Sequence, residues 1–114
     1  MATPSSPPEQ GAAFDSVIFK DKVVKGEKLG EIKVMLDGLQ KSDPAHASYD
    51  KETRRIQVWC EMGRRTYSDA YQFPEDAEIV PSSVDVPEKE RSKGKFKVFF
   101  KKKTDFQLRD IWKQ

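Results

Sequence analysis

Short stretches in which apolar and polar residues alternate recur along this chain. One lies in residues 65–86 (RTYSDAYQFPEDAEIVPSSVDV), where Tyr67, Tyr71 and Phe73 share one face before a proline. Alternation with period two gives a strand one buried face and one wet face, and proline has no N–H to donate to a strand ladder. The pattern predicts a strand, a corner and a second short strand at residues 83–86, around which the remaining strands pack.

Further segments show the same kind of pattern. Strands are expected at residues 14–24, 29–36, 45–49, 54–60 and 95–101, separated by turns at residues 25–28, 37–38, 50–53 and 61–64. No apolar repeat of three to four residues and of helix length interrupts them. About six to eight short strands with a turn every eight to twelve residues indicate an all-β fold, an antiparallel β-sandwich.

The segment at residues 29–36 has the clearest two-faced pattern. Its buried face is expected to carry Ile32, Val34 and Leu36, and its wet face Glu31, Lys33 and Met35. Leu39, just beyond the Asp-Gly turn, is expected in the core.

Length and composition limit the classes of protein to consider. The chain has 114 residues, with a formal net charge of +2 and a single cysteine. This length indicates one domain, and a lone cysteine cannot form an internal disulfide. We expect a flexible leader at residues 1–13, the sandwich at residues 14–101 and a tail at residues 102–114. Without a signal-peptide or membrane-span pattern, the expected location is the cytosol or the nucleus.

Residues suited to catalysis or metal binding are sparse. His46 is the only histidine, and no base is identifiable beside Cys60, so a buried hydrophobic role is expected for this thiol. The acidic residues lack the order of a calcium loop, and neither a glycine-rich phosphate cradle nor zinc-ligand spacing occurs. We expect no enzymatic activity, no metal and no cofactor.

Three motifs, in this order, resemble the alpha-crystallin domain of small heat-shock proteins and the related CS-domain co-chaperones. Residues 35–39 (MLDGL) resemble a turn of that family, residues 72–77 (QFPEDA) its later Pro-Glu-x-Ala corner, and residues 94–101 (GKFKVFFK) its closing strand. The resemblance covers residues 23–101. It implies an immunoglobulin-like sandwich that acts by binding a client or a chaperone partner, for instance the ninety-kilodalton heat-shock chaperone.

Two features favour the CS-like branch of this resemblance. The hairpin at residues 61–64 is too short for the dimerisation element of small heat-shock proteins, and the tail has only a loose echo of their assembly motif at residues 106–108. A monomeric co-chaperone or adaptor is therefore expected. A small heat-shock holdase that forms dimers or oligomers remains the alternative.

A basic segment is the strongest candidate for a specific contact. Lysines and one arginine alternate with phenylalanines over residues 89–103. Such a strip can bind single-stranded nucleic acid, or it can be the wet face of an edge strand protected from aggregation. Nucleic acid binding through this strip is therefore the second alternative function.

Apolar residues outside the main pattern suggest a contact surface. Trp59 and Phe99 point away from the apolar faces of their strands, and together with Met35 they would form an exposed patch unless a terminal segment covers them. The Ile111-Trp112 pair in the tail is either that cover or a docking motif. The residues expected at a partner-binding surface are Trp59, Lys95, Lys97, Phe99, Lys101, Lys102, Ile111 and Trp112.

Overall fold

Two antiparallel sheets make up the domain, and the computed structural model describes residues 11–108. One sheet has the order β1-β2-β6 and the other the order β3-β4-β5. The predicted all-β class with antiparallel strands is confirmed. The strands are β1 (Ser16–Val24), β2 (Glu27–Met35), β3 (Ala45–Asp50), β4 (Arg55–Met62), β5 (Arg65–Gln72) and β6 (Lys95–Lys101).

Tight turns join β1 to β2, β3 to β4 and β4 to β5. Lys25 and Gly26 link β1 to β2 with φ values of 52° and 83°. Two consecutive residues with positive φ are typical of a type I′ turn, the mirror image of the common type I turn. Its twist matches that of the flanking strands. The turn between β4 and β5 is shorter than predicted, because β4 continues to Met62 and pairs it with Arg65.

A single core forms where the inner faces of the two sheets meet. Each strand alternates, so the inward-facing residues in the middle of β2, β4 and β6 are buried. Leu39 is also fully buried, as predicted. The strand residues of this core are Ile32, Val34, Ile56, Val58, Cys60, Tyr67, Phe96, Val98 and Phe100.

Two expectations from alternation are wrong. Glu31, expected in water, is fully buried although it points to the outer face of β2. The predicted strand at residues 83–86 is instead a 3-10 turn, Pro81–Ser83, followed by one bridge between Asp85 and Phe99. Three residues beyond a turn are too few to extend this bridge into a ladder.

Neighbouring segments cover two of the four sheet edges. Ala12 bridges Tyr67 of β5 in parallel, with its N–H 3.0 Å from the carbonyl oxygen of Thr66. At the edge of β6, Phe99 and Asp85 exchange backbone hydrogen bonds of 2.9 Å. Within residues 11–108, no strand pairs with the outer edges of β1 and β3. In the same range, no helix is long and apolar enough to span a membrane.

Candidate functional site

The outer face of the β1-β2-β6 sheet carries four of the eight residues predicted to bind a partner. The register aligns them in rows across the three strands, and one row joins Ile18, Lys33 and Lys97. We call this surface the basic face. Its residues are Ile18, Lys20, Lys22, Glu27, Leu29, Glu31, Lys33, Met35, Lys95, Lys97, Phe99 and Lys101.

Only some lysines of the basic face have an acidic partner. Lys22 Nζ lies 2.6 Å from Glu31 Oε1, and Lys101 Nζ lies 3.1 Å from Glu27 Oε2. Lys97 Nζ is 3.7 Å from Glu90 Oε1, beyond hydrogen-bonding distance. No ion pair is found for the remaining lysines of this face within residues 11–108, namely Lys20, Lys33 and Lys95. The surface therefore carries excess positive charge.

Two lysines face each other directly across the sheet. Lys33 of β2 is the register partner of Lys97 of β6, and Lys95 lies two residues from Lys97 on the same side of β6. Side chains directly opposite on one face have Cβ atoms about 4.5–5.5 Å apart, and like charges at that spacing destabilise a sheet. This lysine cluster, Lys33, Lys95 and Lys97, is thus unfavourable for the fold itself.

A buried carboxylate lies in the next row of the basic face. Glu31 faces Phe99 across the strands, and its Oε2 has no hydrogen-bond partner in the described part of the chain. Lys22 Nζ lies near its Oε1 and also 5.4 Å from the centroid of the Phe99 ring. Lys22 therefore compensates the buried charge and covers one side of the aromatic ring at the same time.

Four of the predicted surface residues lie together on the basic face. Lys95, Lys97 and Phe99 are half-buried there and Lys101 is exposed. The sequence analysis missed the contributions of β1 and β2, namely Ile18, Lys20, Lys22 and Lys33. Alternation assigns each of these to the side of its strand opposite the core. Their position beside β6 depends on strand order, which alternation does not encode.

Trp59 lies elsewhere and is buried. Because β4 belongs to the second sheet, Trp59 cannot form one patch with Phe99 and Met35 as we had expected. Its side chain is only 2% exposed, and its indole lies 5.3 Å from the His46 ring, centroid to centroid. A partner cannot reach Trp59 without rearrangement of the surrounding residues.

Lys102 was also predicted at the partner-binding surface, but its side chain is not accessible to a partner. Its side chain is 3% exposed, and Nζ lies 2.5 Å from Asp21 Oδ1 and 2.7 Å from the carbonyl oxygen of Phe106. Asp21 also accepts the backbone N–H of Leu108 at 3.0 Å. Lys102 therefore fastens the segment after β6 to the middle of β1. Ile111 and Trp112 lie outside the described residues.

Two side chains that could take part in acid–base or nucleophilic chemistry, Cys60 and Tyr71, have raised pKa values. Burial raises the pKa of the Cys60 thiol to about 11, which suppresses the nucleophilic thiolate. Burial and the neighbouring Asp69 carboxylate raise the pKa of Tyr71, whose hydroxyl donates to Asp69 Oδ2 at 2.7 Å. Within residues 11–108, no group of three or more histidine, cysteine or acidic residues is arranged to hold a metal ion.

Comparison with the models of known families, with characterised proteins and with solved structures finds no match to this chain.

Proposed function

We propose that this protein is a non-catalytic protein-binding domain, a co-chaperone or adaptor that docks a chaperone partner or client on the basic face. The observation that supports this proposal is the combination of unpaired lysines with apolar side chains on one sheet surface. Ile18 is 38% exposed there, and Met35 and Phe99 are half-buried. Protein-binding surfaces combine partly exposed apolar groups with a charged surround.

The finer fold type is part of the same proposal. We assign the two sheets to an immunoglobulin-like sandwich of the alpha-crystallin/CS type. The support is the resemblance of the motifs at residues 35–39, 72–77 and 94–101, together with a shared core between three-stranded antiparallel sheets.

Docking on the face agrees better with the structure than docking along the β1 edge of the same sheet. The β1 edge carries Lys20 and Lys22 on its outer side and Asp21 on its inner side. Charged side chains on an edge strand, above all inward-pointing ones, oppose the addition of another strand. In β1 the inward charge is held by Lys102, so a strand added there would meet a fixed ion pair.

The same residues favour a monomer over the holdase alternative. If two β1 strands paired in antiparallel fashion around Asp21, each Lys20 would face a Lys22 and the two Asp21 side chains would meet. Like charges directly opposite disfavour such pairing. Light scattering across a size-exclusion column should therefore give one mass near 13.1 kDa at all protein concentrations. A dimer or a broad high-mass peak would instead support a small heat-shock holdase.

Affinity purification with matched variants tests the proposed function. The bait Lys95→Gln/Lys97→Gln removes two charges from the basic face. The control Lys51→Gln/Arg55→Gln removes two charges at the second sheet, where Lys51 lies in the turn after β3 and Arg55 is the first residue of β4. The extract comes from cells that make this protein naturally and is treated with nuclease. Proteins that the wild-type bait and the control bait retain should not be retained by the basic-face variant. Equal retention by all three baits would refute the proposal.

Nucleic acid binding is the second candidate, because the basic face combines several lysines with the half-buried Phe99 ring. Nuclease treatment separates it from protein binding, since nucleic-acid-dependent capture would disappear. Binding through phosphates also releases counterions, so a mobility shift would weaken steeply as salt rises.

A further inference from the structure

We propose that the basic face recognises an acidic segment of its partner, in extended conformation, with carboxylates between the lysines of the cluster and apolar side chains beside Ile18 and Met35. This inference rests on the proposed protein-binding function and specifies the chemistry of the partner. The observation behind it is the lysine cluster itself, with Lys33 directly opposite Lys97.

The cluster is unfavourable without an added anion. Lys33 and Lys95 have no acidic partner within residues 11–108, and the carboxylate nearest to Lys97 Nζ is 3.7 Å away. Bound carboxylates would neutralise the repulsion between Lys33 and Lys97. The unbound protein would thus be destabilised relative to the complex, which is how fixed charges give specificity for a complementary partner.

The spacing of the cluster matches an extended peptide. Lys95 and Lys97 point to the same side of β6 with one residue between them. Each strand residue advances about 3.3 Å, so side chains two residues apart repeat at about 6.6 Å on both a strand and an extended ligand. Alternate acidic residues of a peptide aligned along β6 can therefore meet both lysines.

The same face offers places for apolar side chains between the charges. Ile18 precedes Lys33 in its row, and Met35 precedes Lys95 in the adjacent row. A ligand whose sheet-facing side chains include both acidic and apolar residues fits this arrangement better than a uniformly charged chain. Lysine ammonium groups on long stems can adapt to carboxylates at slightly different positions.

Two features of the adjacent row disfavour a nucleic acid as the occupant. Stacking of a base needs an open ring face, whereas Lys22 Nζ lies 5.4 Å from the centroid of the Phe99 ring. The Lys22 ammonium already pairs with the buried Glu31 carboxylate at 2.6 Å, so it is not free to bind a phosphate beside Phe99. A peptide can present a neutral or apolar residue at this point, but a nucleic acid strand carries a charge at every unit.

Titration with defined probes tests the inference. The main probe is a capped ten-residue peptide with serine at the even positions and, at the odd positions that share one face of an extended chain, the order glutamate, glutamate, leucine, glutamate, glutamate. A second peptide has glutamine in place of glutamate, and a ten-nucleotide oligothymidylate is the nucleic acid probe. Amide chemical shifts are recorded at fixed low salt for the wild type, for Lys33→Gln/Lys97→Gln and for the control Lys51→Gln/Arg55→Gln. The same spectra report whether each variant is folded.

The acidic peptide should shift the amides of β2 and β6, and the glutamine peptide should bind at least tenfold more weakly. Lys33→Gln/Lys97→Gln should lose at least tenfold in affinity for the acidic peptide, and the control less than twofold. Equal loss in both variants, no binding of the acidic peptide, or tighter binding of the oligothymidylate would overturn the inference. If partners are still retained through the basic face in the affinity purification, only the acidic specificity is wrong. If that retention is also absent, the proposed function fails too.

Discussion

Lys102 Nζ lies 2.5 Å from Asp21 Oδ1, an ion pair between the residue after β6 and the middle of β1. The Lys102 side chain is 3% exposed and the Asp21 side chain 28%. Because Asp21 also accepts the N–H of Leu108, the pair holds a fully buried leucine against the core. The ion pair thus links the segment after β6, at one edge of the sheet, to β1 at the opposite edge of the same sheet.

Removal of the Asp21 charge should destabilise the domain strongly. Asp21→Asn leaves the buried Lys102 ammonium uncompensated, which costs about 3–5 kcal/mol when both partners are fully buried. We expect the lower end, about 3 kcal/mol, since Asp21 keeps partial contact with water. Urea unfolding measures the change in the free energy of unfolding.

The control for this prediction is the exposed pair between Lys28 and Asp105, whose side chains are 51% and 72% exposed. Lys28→Gln should leave the urea midpoint almost unchanged, because exposed ion pairs contribute little. A loss for Asp21→Asn no larger than that for Lys28→Gln would show that the Asp21–Lys102 pair does not fasten the segment after β6.

The buried Glu31 gives a second prediction, on the role of Lys22. Lys22→Met should destabilise the domain far more than Lys20→Met, because Lys22 is the one cation within residues 11–108 that pairs with the buried Glu31 carboxylate, 2.6 Å away. The double variant Lys22→Met/Glu31→Met should recover most of the loss, since apolar replacement of a buried pair is often neutral. Thermal unfolding of the wild type, Lys22→Met, Glu31→Met, the double variant and Lys20→Met measures this coupling. Additive effects of the two substitutions would contradict it.

Reversal of one charge in the lysine cluster should stabilise the fold and weaken the binding of an acidic peptide. Lys33→Glu replaces a like-charge pair opposite Lys97 with an opposite-charge pair, and should stabilise the fold by about 0.5–1 kcal/mol. The same substitution should abolish binding of the glutamate-containing probe peptide. Lys51→Glu in the β3–β4 turn is the control, with neither effect expected. A loss of stability in Lys33→Glu would mean that Lys33 has a structural role on this face.

Cys60 makes stability depend on pH above neutrality. Its pKa is raised from 9.0 to about 11 by burial, so between these values the thiol ionises in the unfolded chain and stays protonated in the fold. The unfolded state is then favoured, and the free energy of unfolding falls as pH rises from 9 towards 11. Below pH 9 the thiol is protonated in both states and contributes no pH dependence.

Comparison with Cys60→Ala isolates this effect from other groups that titrate at alkaline pH. The stability advantage of the wild type over Cys60→Ala should be largest at pH 8 and should shrink steadily towards pH 11. A constant difference in urea midpoint across this range would show that the folded thiol ionises at its ordinary pKa.

Alternation along the chain predicted the strands and most of the core, because the inner-face residues of β2, β4 and β6 are apolar except for the exposed Lys28 near the start of β2. It also carries the information that Lys102 points inward, since Lys102 has the same parity as Phe96, Val98 and Phe100. Its charge led us to expect it at the surface. The acidic partner that makes the inward position acceptable comes from β1, 81 residues away in the sequence.

Strand order could not be predicted from the pattern, and the candidate site depends on it. The assignment of Trp59 and Phe99 to one patch required β4 and β6 to be neighbours, whereas β6 pairs with β2. The burial of Glu31 was missed for a related reason, because its cover comes from Lys22 on one neighbouring strand and Phe99 on the other. Such contacts follow from tertiary pairing and leave no local signal.

Photo-crosslinking from the two outer faces tests the central claim most directly. A photoreactive amino acid is placed at position 20, exposed on the basic face, or at position 55, exposed at the start of β4. After irradiation in an extract of the producing cells, adducts are identified by mass spectrometry. The account predicts discrete protein adducts from position 20 and few from position 55. Equal adducts from both positions, or adducts formed only from position 55, would contradict the assignment of the basic face as the binding surface.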